Sequence, residues 1–160
     1  MTDTTIRKSA QHADTAAGVS QFLSPVVIHL TALAVDGKQA HWNVRGMNFI
    51  AIHELLDTIV DHAREAADTA AERIVALGLP VDARIQVVAK ESKAPKLSSG
   101  FIQSEKMIAE VINQIDATLE VVHTAISELE SIDPSSQDVA IEIARQLEQD
   151  RWFLFAHISK

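Results

Sequence analysis

The sequence contains no cysteine, and this excludes both a disulfide framework and a metal site built from thiolates. It is also short of positive charge, because 14 Lys and Arg residues stand against 22 Asp and Glu residues and give a net charge of −8. Proteins that bind nucleic acid constitutively are normally basic, so this balance argues against such a role and suits a protein that attracts cations. With 160 residues and 47% apolar content, the chain is long enough for one domain with a substantial core.

Long apolar runs are missing as well. The first ten residues, MTDTTIRKSA, lack the apolar core of a signal peptide, and no stretch approaches a membrane-spanning length. We therefore expect a cytoplasmic protein that does not enter a membrane. Residues 1–18 are small and polar and carry no net charge, so they are predicted to form a flexible N-terminal arm before a single domain at 19–160.

Helical periodicity dominates the rest of the chain, and no strand pattern competes with it. Four amphipathic helices are predicted, with a long crossover link between the second and the third, so the fold class is an all-α four-helix bundle. Pro25 is placed in the first turns of the first helix, where proline is tolerated. Ser135 or Ser136 is expected to cap the fourth helix after a break at Asp133. The predicted bounds are 19–43, 49–77, 101–131 and 135–158 for the helices and 79–100 for the link, with a short helix near 84–91.

One stretch, residues 38–72, carries most of the side chains that suit a metal ion. It holds two imidazole and three carboxylate donors: His41, His53, Asp57, Asp68 and Glu72. At 100° per residue the last four share one face of the second helix, roughly 130° away from the apolar seam of that helix. The donors are therefore predicted to point to solvent or to a neighbouring molecule.

The length of this helix limits what one chain can do. His53 and Glu72 are 19 residues apart, which is about 28 Å along a helix. A metal–ligand bond is about 2 Å, so no single ion contacts both ends within one chain. Either the stripe is a solvated acidic face, which is the commoner case, or a second copy of the helix packs antiparallel about a two-fold axis. The second arrangement brings His53 and Asp57 of one chain to Asp68 and Glu72 of the other.

Four segments of the chain resemble the Dps family, the ferritin-like proteins of starved bacterial cells. KQAHWNVRG (38–46), NFIAIHELLD (48–57) and DTAAERIVALG (68–78) are similar to the ferroxidase signature of that family, and DRWFLFAHI (150–158) is similar to the end of its last helix. The likeness extends over roughly residues 19–158. It implies a ferritin-like four-helix subunit and a hollow homo-dodecamer that stores iron as a ferric mineral.

The resemblance also implies that two subunits contribute ligands to each site. By motif position, His41, His53 and Asp57 of one subunit and Asp68 and Glu72 of its partner are the catalytic metal ligands. They would hold two irons at each ferroxidase site, where Fe(II) is oxidised by peroxide or oxygen.

Two further features of that family bear on this sequence. Many Dps proteins bind DNA through a lysine-rich arm, and the neutral residues 1–18 argue against DNA binding here. Asp138, followed one turn later by Glu142, stands where Dps-like assemblies have acidic three-fold pores, and such a ring would concentrate Fe(II). An acid favoured by the helix dipole explains Asp138 equally well.

Two other functions stay open at this level. A metal-dependent amide or ester hydrolase would use the same His and carboxylate site, because an ion with an open coordination position activates water as well as binding peroxide. A DNA-compacting, DNA-protecting protein is the third possibility, against which the arm and the net charge count.

The remaining histidines are not interpreted as metal ligands. Glu120 and His123 match a Glu-x-x-His motif of internal di-iron bundles, but no second copy exists, so the match is interpreted as chance. His29, His62 and His157 have no carboxylate arranged as a clear co-ligand and are interpreted as satisfied interior or surface residues. His12 falls in the arm and is interpreted as solvated.

Overall fold

Four long helices form the bundle in the computed structural model, which describes residues 9–159. The elements are α1 (Ala13–Asn43), β1 (Val44–Arg45), α2 (Phe49–Ala76), α3 (Ile85–Glu91), β2 (Ile102–Gln103), α4 (Ser104–Leu129) and α5 (Pro134–Ala156). Helix α1 packs against α2 and α4, and α5 packs against α4 and α2, so the predicted all-α four-helix bundle is confirmed. The strands β1 and β2, which the sequence pattern did not indicate, pair in parallel and tie the α1–α2 turn to the residues before α4.

The core consists of the apolar seams that the periodicity predicted. On α2 the buried positions include Ile52, Leu56 and Ile59, each at most 1% exposed, and α4 contributes a continuous seam from Met107 to Leu129. Fully burying one such side chain contributes roughly 1.5–3 kcal/mol. The predicted crossover link is confirmed, with α3 where the short helix was expected.

The first helix is longer than the sequence predicted. It begins at Ala13, six residues before Val19, so residues 13–18 belong to α1 and not to an arm. Ala16 is buried, and Gly18 lies so close to Ile132 that an added Cβ would be 3.1 Å from its Cγ2. The burial of Ala16 and the packing of Gly18 against Ile132, far away in the sequence, favour the helical conformation of residues 13–18. Residues 1–8 of the predicted arm lie outside the described residues.

Two further expectations about α1 were wrong. With the start at Ala13, Pro25 lies in the middle of the helix and not in its first turns. The helix is also long and apolar enough to pass for a membrane span, although half of its most apolar stretch is buried in the protein. Val19, Leu23 and Leu30 are completely buried, so α1 is a core helix of the bundle.

A close approach of α1 and α2 sets the position of the residues that follow. Gly37 faces Val60, and a Cβ on Gly37 would lie only 2.9 Å from Val60 Cγ2. The turn after α1 depends on Gly46 and Asn48, which both have positive φ angles, of 108° and 59°. An added Cβ on Gly46 would also clash with Oε1 of Gln103. The tight turn therefore brings the end of α1 beside the start of α2.

The start of α5 is fixed by a buried carboxylate. Asp133 is the N-cap and accepts hydrogen bonds from the backbone N–H of Ser136 at 3.2 Å and from Nη2 of Arg73, on α2, at 2.7 Å. The predicted cap, Ser135 or Ser136, was therefore wrong. Burial alone would raise the pKa of Asp133, but the hydrogen bonds from Ser136 and Arg73 outweigh it and lower the pKa.

Candidate metal centre

His41 and His53 meet where α1 and α2 flank the tight turn. Their rings are stacked, with centroids 3.6 Å apart and planes inclined by 21°. Nδ1 of His41 lies 2.7 Å from the backbone oxygen of His53, and Nδ1 of His53 lies 2.8 Å from the backbone oxygen of His41. The structure therefore brings together two donors that are twelve residues apart in sequence.

These reciprocal hydrogen bonds decide which ring nitrogen is free. A carbonyl oxygen only accepts, so Nδ1 of each ring must carry the proton and donate it. In the neutral imidazole Nε2 is then left with its lone pair, which is the form that binds a metal ion. A backbone carbonyl on the other nitrogen is the usual way in which a metal-binding histidine is oriented.

Asp57 lies one helical turn after His53 and forms an ion pair with Lys38 of α1. The hydrogen bond from Lys38 lowers the pKa of Asp57, and the nearby His41 and His53 lower it further. Asp57 is therefore a carboxylate at neutral pH. A metal ion bound there would compete with the Lys38 ammonium for the same oxygen.

Asp68 and Glu72 are not part of this group. Both are exposed, further along the same helix, as the helical arithmetic predicted. Within residues 9–159 no three His, Asp or Glu side chains converge on a point that would hold a metal ion. One chain thus supplies two separate halves of a donor set: two imidazoles with one carboxylate near the turn, and two carboxylates about three turns later.

Several large apolar side chains are exposed between residues 35 and 50. Val35, Trp42, Met47 and Ile50 are 53%, 64%, 82% and 61% exposed. Beside them a groove of about 790 Å³ contains Lys38, Trp42 and Asp68. Exposed apolar patches of this kind mark surfaces that another molecule covers. Lys38 and Asp68 therefore border the same groove as the exposed Val35 and Trp42.

Asp138 and Glu142 are both exposed on α5, separated by one turn. Asp138 is the fifth residue of the helix, after the first turn, which contains no acidic residue. The helix dipole acts mainly on the first turn, so it explains Asp138 less well than the sequence indicated. Within residues 9–159 Asp138 belongs to no group of three His, Asp or Glu side chains that could hold a metal ion.

His62 is a satisfied residue, as interpreted, but the carboxylate that satisfies it was not predicted. Its Nδ1 lies 2.9 Å from Oδ1 of Asp150, a buried carboxylate 88 residues away. No local pattern indicated this partner, because the two residues meet only when α2 packs on α5. His123, on the exposed face of α4, has Nε2 3.4 Å from Oε1 of Glu148.

His29 is an interior residue, as interpreted, but it is only half satisfied. The Nε2 atom accepts a hydrogen bond from the backbone N–H of Lys93 at 3.4 Å, and Nδ1 finds no partner among residues 9–159. Burial lowers the pKa of His29, and the charge of Lys93 lowers it further. His12 and His157 are exposed, at the N-cap of α1 and the C-cap of α5.

Comparisons with known proteins agree with this architecture. Residues 25–160 match the family model of the ferritin-like domain. The structure of Dps from Microbacterium arborescens in the high iron form is 53% identical with a TM-score of 0.91, covering 95% of this chain and 99% of that one. The tetragonal form of Mycobacterium smegmatis Dps is 31% identical with a TM-score of 0.89, covering 100% and 96%. A DNA protection during starvation protein of Agrobacterium fabrum is 33% identical over 129 residues, 80% of each chain.

Proposed function

The chain belongs to the Dps family of ferritin-like proteins, whose general roles are iron storage and DNA protection, and we propose that it is a ferroxidase. In this proposal it oxidises Fe(II) at sites between subunits and stores the product as a ferric mineral inside a cytoplasmic shell of twelve copies. His41, His53 and Asp57 of one subunit bind two Fe(II) ions together with Asp68 and Glu72 of its partner.

The observation that carries the proposal is the half-site at the α1–α2 turn. Two imidazoles whose Nδ1 atoms are committed to backbone carbonyls present Nε2 atoms beside an ionised carboxylate. Mixed imidazole and carboxylate donors suit Fe(II), and carboxylates also hold the harder Fe(III) product. The half-site has too few ligands by itself. Asp68 lines a groove that also contains Lys38, the ion-pair partner of Asp57.

Iron is the substrate in this reaction, and the electron balance requires two ions. Each Fe(II) gives up one electron, while hydrogen peroxide takes up both electrons and two protons as its O–O bond breaks, so that two water molecules form. Because both electrons are delivered at one site, the one-electron reaction that releases a hydroxyl radical is avoided. A site with few protein ligands leaves coordination positions open for the oxidant, whether peroxide or oxygen.

The proposed ferroxidase reaction also accounts for DNA protection. Removing Fe(II) and peroxide together protects DNA without contact. The net charge of −8 and the neutral residues 1–18 continue to predict weak DNA binding. The amide or ester hydrolase considered from the sequence stays an untested alternative.

The shared site is tested by complementation between two damaged subunits. One variant carries His53→Ala and Asp57→Ala, and the other carries Asp68→Ala and Glu72→Ala. Each alone is expected to be a poor ferroxidase. When the two are co-expressed, half of the paired interfaces are mixed under random assembly, and each mixed interface contains one intact site. About one quarter of all sites should therefore recover.

Rapid Fe(II) oxidation by the mixed assembly is the measurement, with each variant expressed alone as the control. No gain over the separate variants would mean that the site is not shared between subunits. Native mass spectrometry provides an independent check, because the proposal requires an assembly near twelve times 17.5 kDa. A monomer or an isolated dimer as the only species would contradict the shell.

A further inference from the structure

A second cavity lies between α2 and α5, and none of the five ferroxidase residues lines it. Its volume is about 420 Å³. Its lining includes His62 and Glu65 of α2 and Glu142, Arg145 and Gln146 of α5.

A buried carboxylate holds His62 at the edge of this cavity. Asp150 is 1% exposed, and its two oxygens lie 2.9 and 3.1 Å from Nδ1 of His62. Nε2 of Gln146 donates to the same carboxylate at 3.2 Å. Nε2 of Gln146 also lies 3.1 Å from Nδ1 of His62. A carboxylate removed from water needs donors around it, so we place the proton of His62 at Nδ1, where it is donated to Asp150.

This arrangement leaves Nε2 of His62 with a free lone pair. The side chain is 31% exposed and lines the cavity, and its other nitrogen is already committed to Asp150. A carboxylate behind one ring nitrogen and an open position at the other is the arrangement found at metal-binding histidines. The pairing of His62 with Asp150 therefore does more than join two helices, since it fixes the tautomer that binds a cation.

Two carboxylates are available to complete a site. Glu65 is one turn after His62 on α2, and Glu142 faces it from α5; both are exposed and line the cavity. The side chains do not converge as they stand, so one of the glutamates must turn inward when an ion binds. Arg145 also lines the cavity, and its positive charge opposes cation binding.

We propose that the cavity between α2 and α5 is a divalent transition-metal site, in which His62 Nε2 is the anchoring ligand. A carboxylate of Glu65 or Glu142 is the second ligand, and water fills the remaining positions. One imidazole with carboxylate and water suits ions such as Fe(II), Co(II) and Zn(II). Asp150 is a positioning residue that does not touch the ion. The site does not depend on the proposed ferroxidase reaction.

Zinc titration by calorimetry tests this site in the full chain carrying His41→Ala and His53→Ala, which removes the imidazoles of the proposed ferroxidase centre. We expect a zinc-binding event in this background that His62→Gln weakens at least tenfold. His123→Gln, which removes a different exposed histidine, is the matched control and should leave it unchanged. Binding that is absent, or that is the same with and without His62, would overturn the proposal.

Two further variants separate ligation from folding. Arg145→Gln leaves the His62–Asp150 pair intact and should tighten zinc binding several-fold, because it removes the opposing charge. Asp150→Asn should weaken binding roughly 10-fold or more, as loss of such an orienting partner does at other metal sites. Unchanged affinity in both variants would also overturn the proposal. Complementation between damaged ferroxidase subunits does not involve His62, so the two proposals succeed or fail separately.

Discussion

His41 and His53 each donate a hydrogen bond from Nδ1 to the backbone oxygen of the other, at 2.7 and 2.8 Å. Free histidine favours the opposite tautomer, with the proton on Nε2, so the fold is expected to reverse this preference at both residues. Solid-state NMR of protein labelled with ¹⁵N-histidine should show Nδ1–H signals that disappear singly in His41→Asn and His53→Asn. Nε2–H signals for these two residues at neutral pH would contradict the geometry.

Lys38 competes with any cation for Asp57, because its ammonium already pairs with that carboxylate. Replacing it by Met should raise the pKa of Asp57 towards its ordinary value and tighten metal binding several-fold, since no ammonium has to be displaced. Lys90→Met, on the exposed face of α3, removes the same charge away from the site and is the control. Cobalt titration of both variants is the measurement. Weaker binding in Lys38→Met would instead make Lys38 a residue that orients Asp57.

Asp138 is predicted to act on the uptake of iron and not on its oxidation. Asp138→Asn should slow the oxidation of Fe(II) added from solution, because an acidic ring concentrates the cation. The oxidation of Fe(II) loaded beforehand without oxygen should be nearly unchanged when peroxide is added. Glu128→Gln, an exposed acid on α4, is the control for the change in net charge. An equal loss in both assays, or in neither, would remove Asp138 from the pathway.

Asp133 contributes to stability as the N-cap of α5 and through its ion pair with Arg73, and two variants separate these contributions. Asp133→Asn keeps an N-cap but loses the ion pair with Arg73, and it should cost about 1–2 kcal/mol. Asp133→Ala loses the cap as well and should cost about 3 kcal/mol. Because the pKa of Asp133 is lowered in the fold, its contribution is fully present above the ordinary carboxyl pKa of about 3.9 and is lost as pH falls through the folded-state value. Urea unfolding between pH 7 and pH 2 should show the wild type and Asp133→Asn converging in acid. A constant difference across that range would rule out the ionised pair.

The contact between Gly37 and Val60 predicts a non-additive pair of substitutions. Gly37→Ala should destabilise the protein by about 1–2 kcal/mol despite the better helix propensity of alanine, because its Cβ would lie 2.9 Å from Val60 Cγ2. Val60→Ala should cost about 2 kcal/mol through the lost methyl groups. The double variant should cost about 1 kcal/mol less than the sum, since each change relieves the other. Thermal unfolding at one protein concentration measures this, and strict additivity would contradict the close approach.

Periodicity within single helices was sufficient to predict most of the fold. The bounds of α2 are within one residue of the prediction, and the donor stripe and the apolar seam lie on the faces that 100° per residue assigned to them. Membership of the ferritin-like family could also be predicted, because the resemblance depends on the spacing of donors along the chain: His41, His53, Asp57, Asp68 and Glu72. The misplaced start of α1 has a physical reason, since Ala16 and Gly18 become core residues only through packing against other elements.

Local spacing along the chain was enough to establish which donors exist, which helix carries them and which way that helix presents them. The hydrogen bonds and ion pairs that orient these donors depend instead on how the helices pack. The Nδ1 tautomers of His41 and His53, the ion pair of Lys38 with Asp57 and the burial of Asp150 behind His62 all join residues on different helices. Such contacts span 12 to 88 positions of the chain. Helical periodicity repeats every few residues and contains no information about partners at that distance.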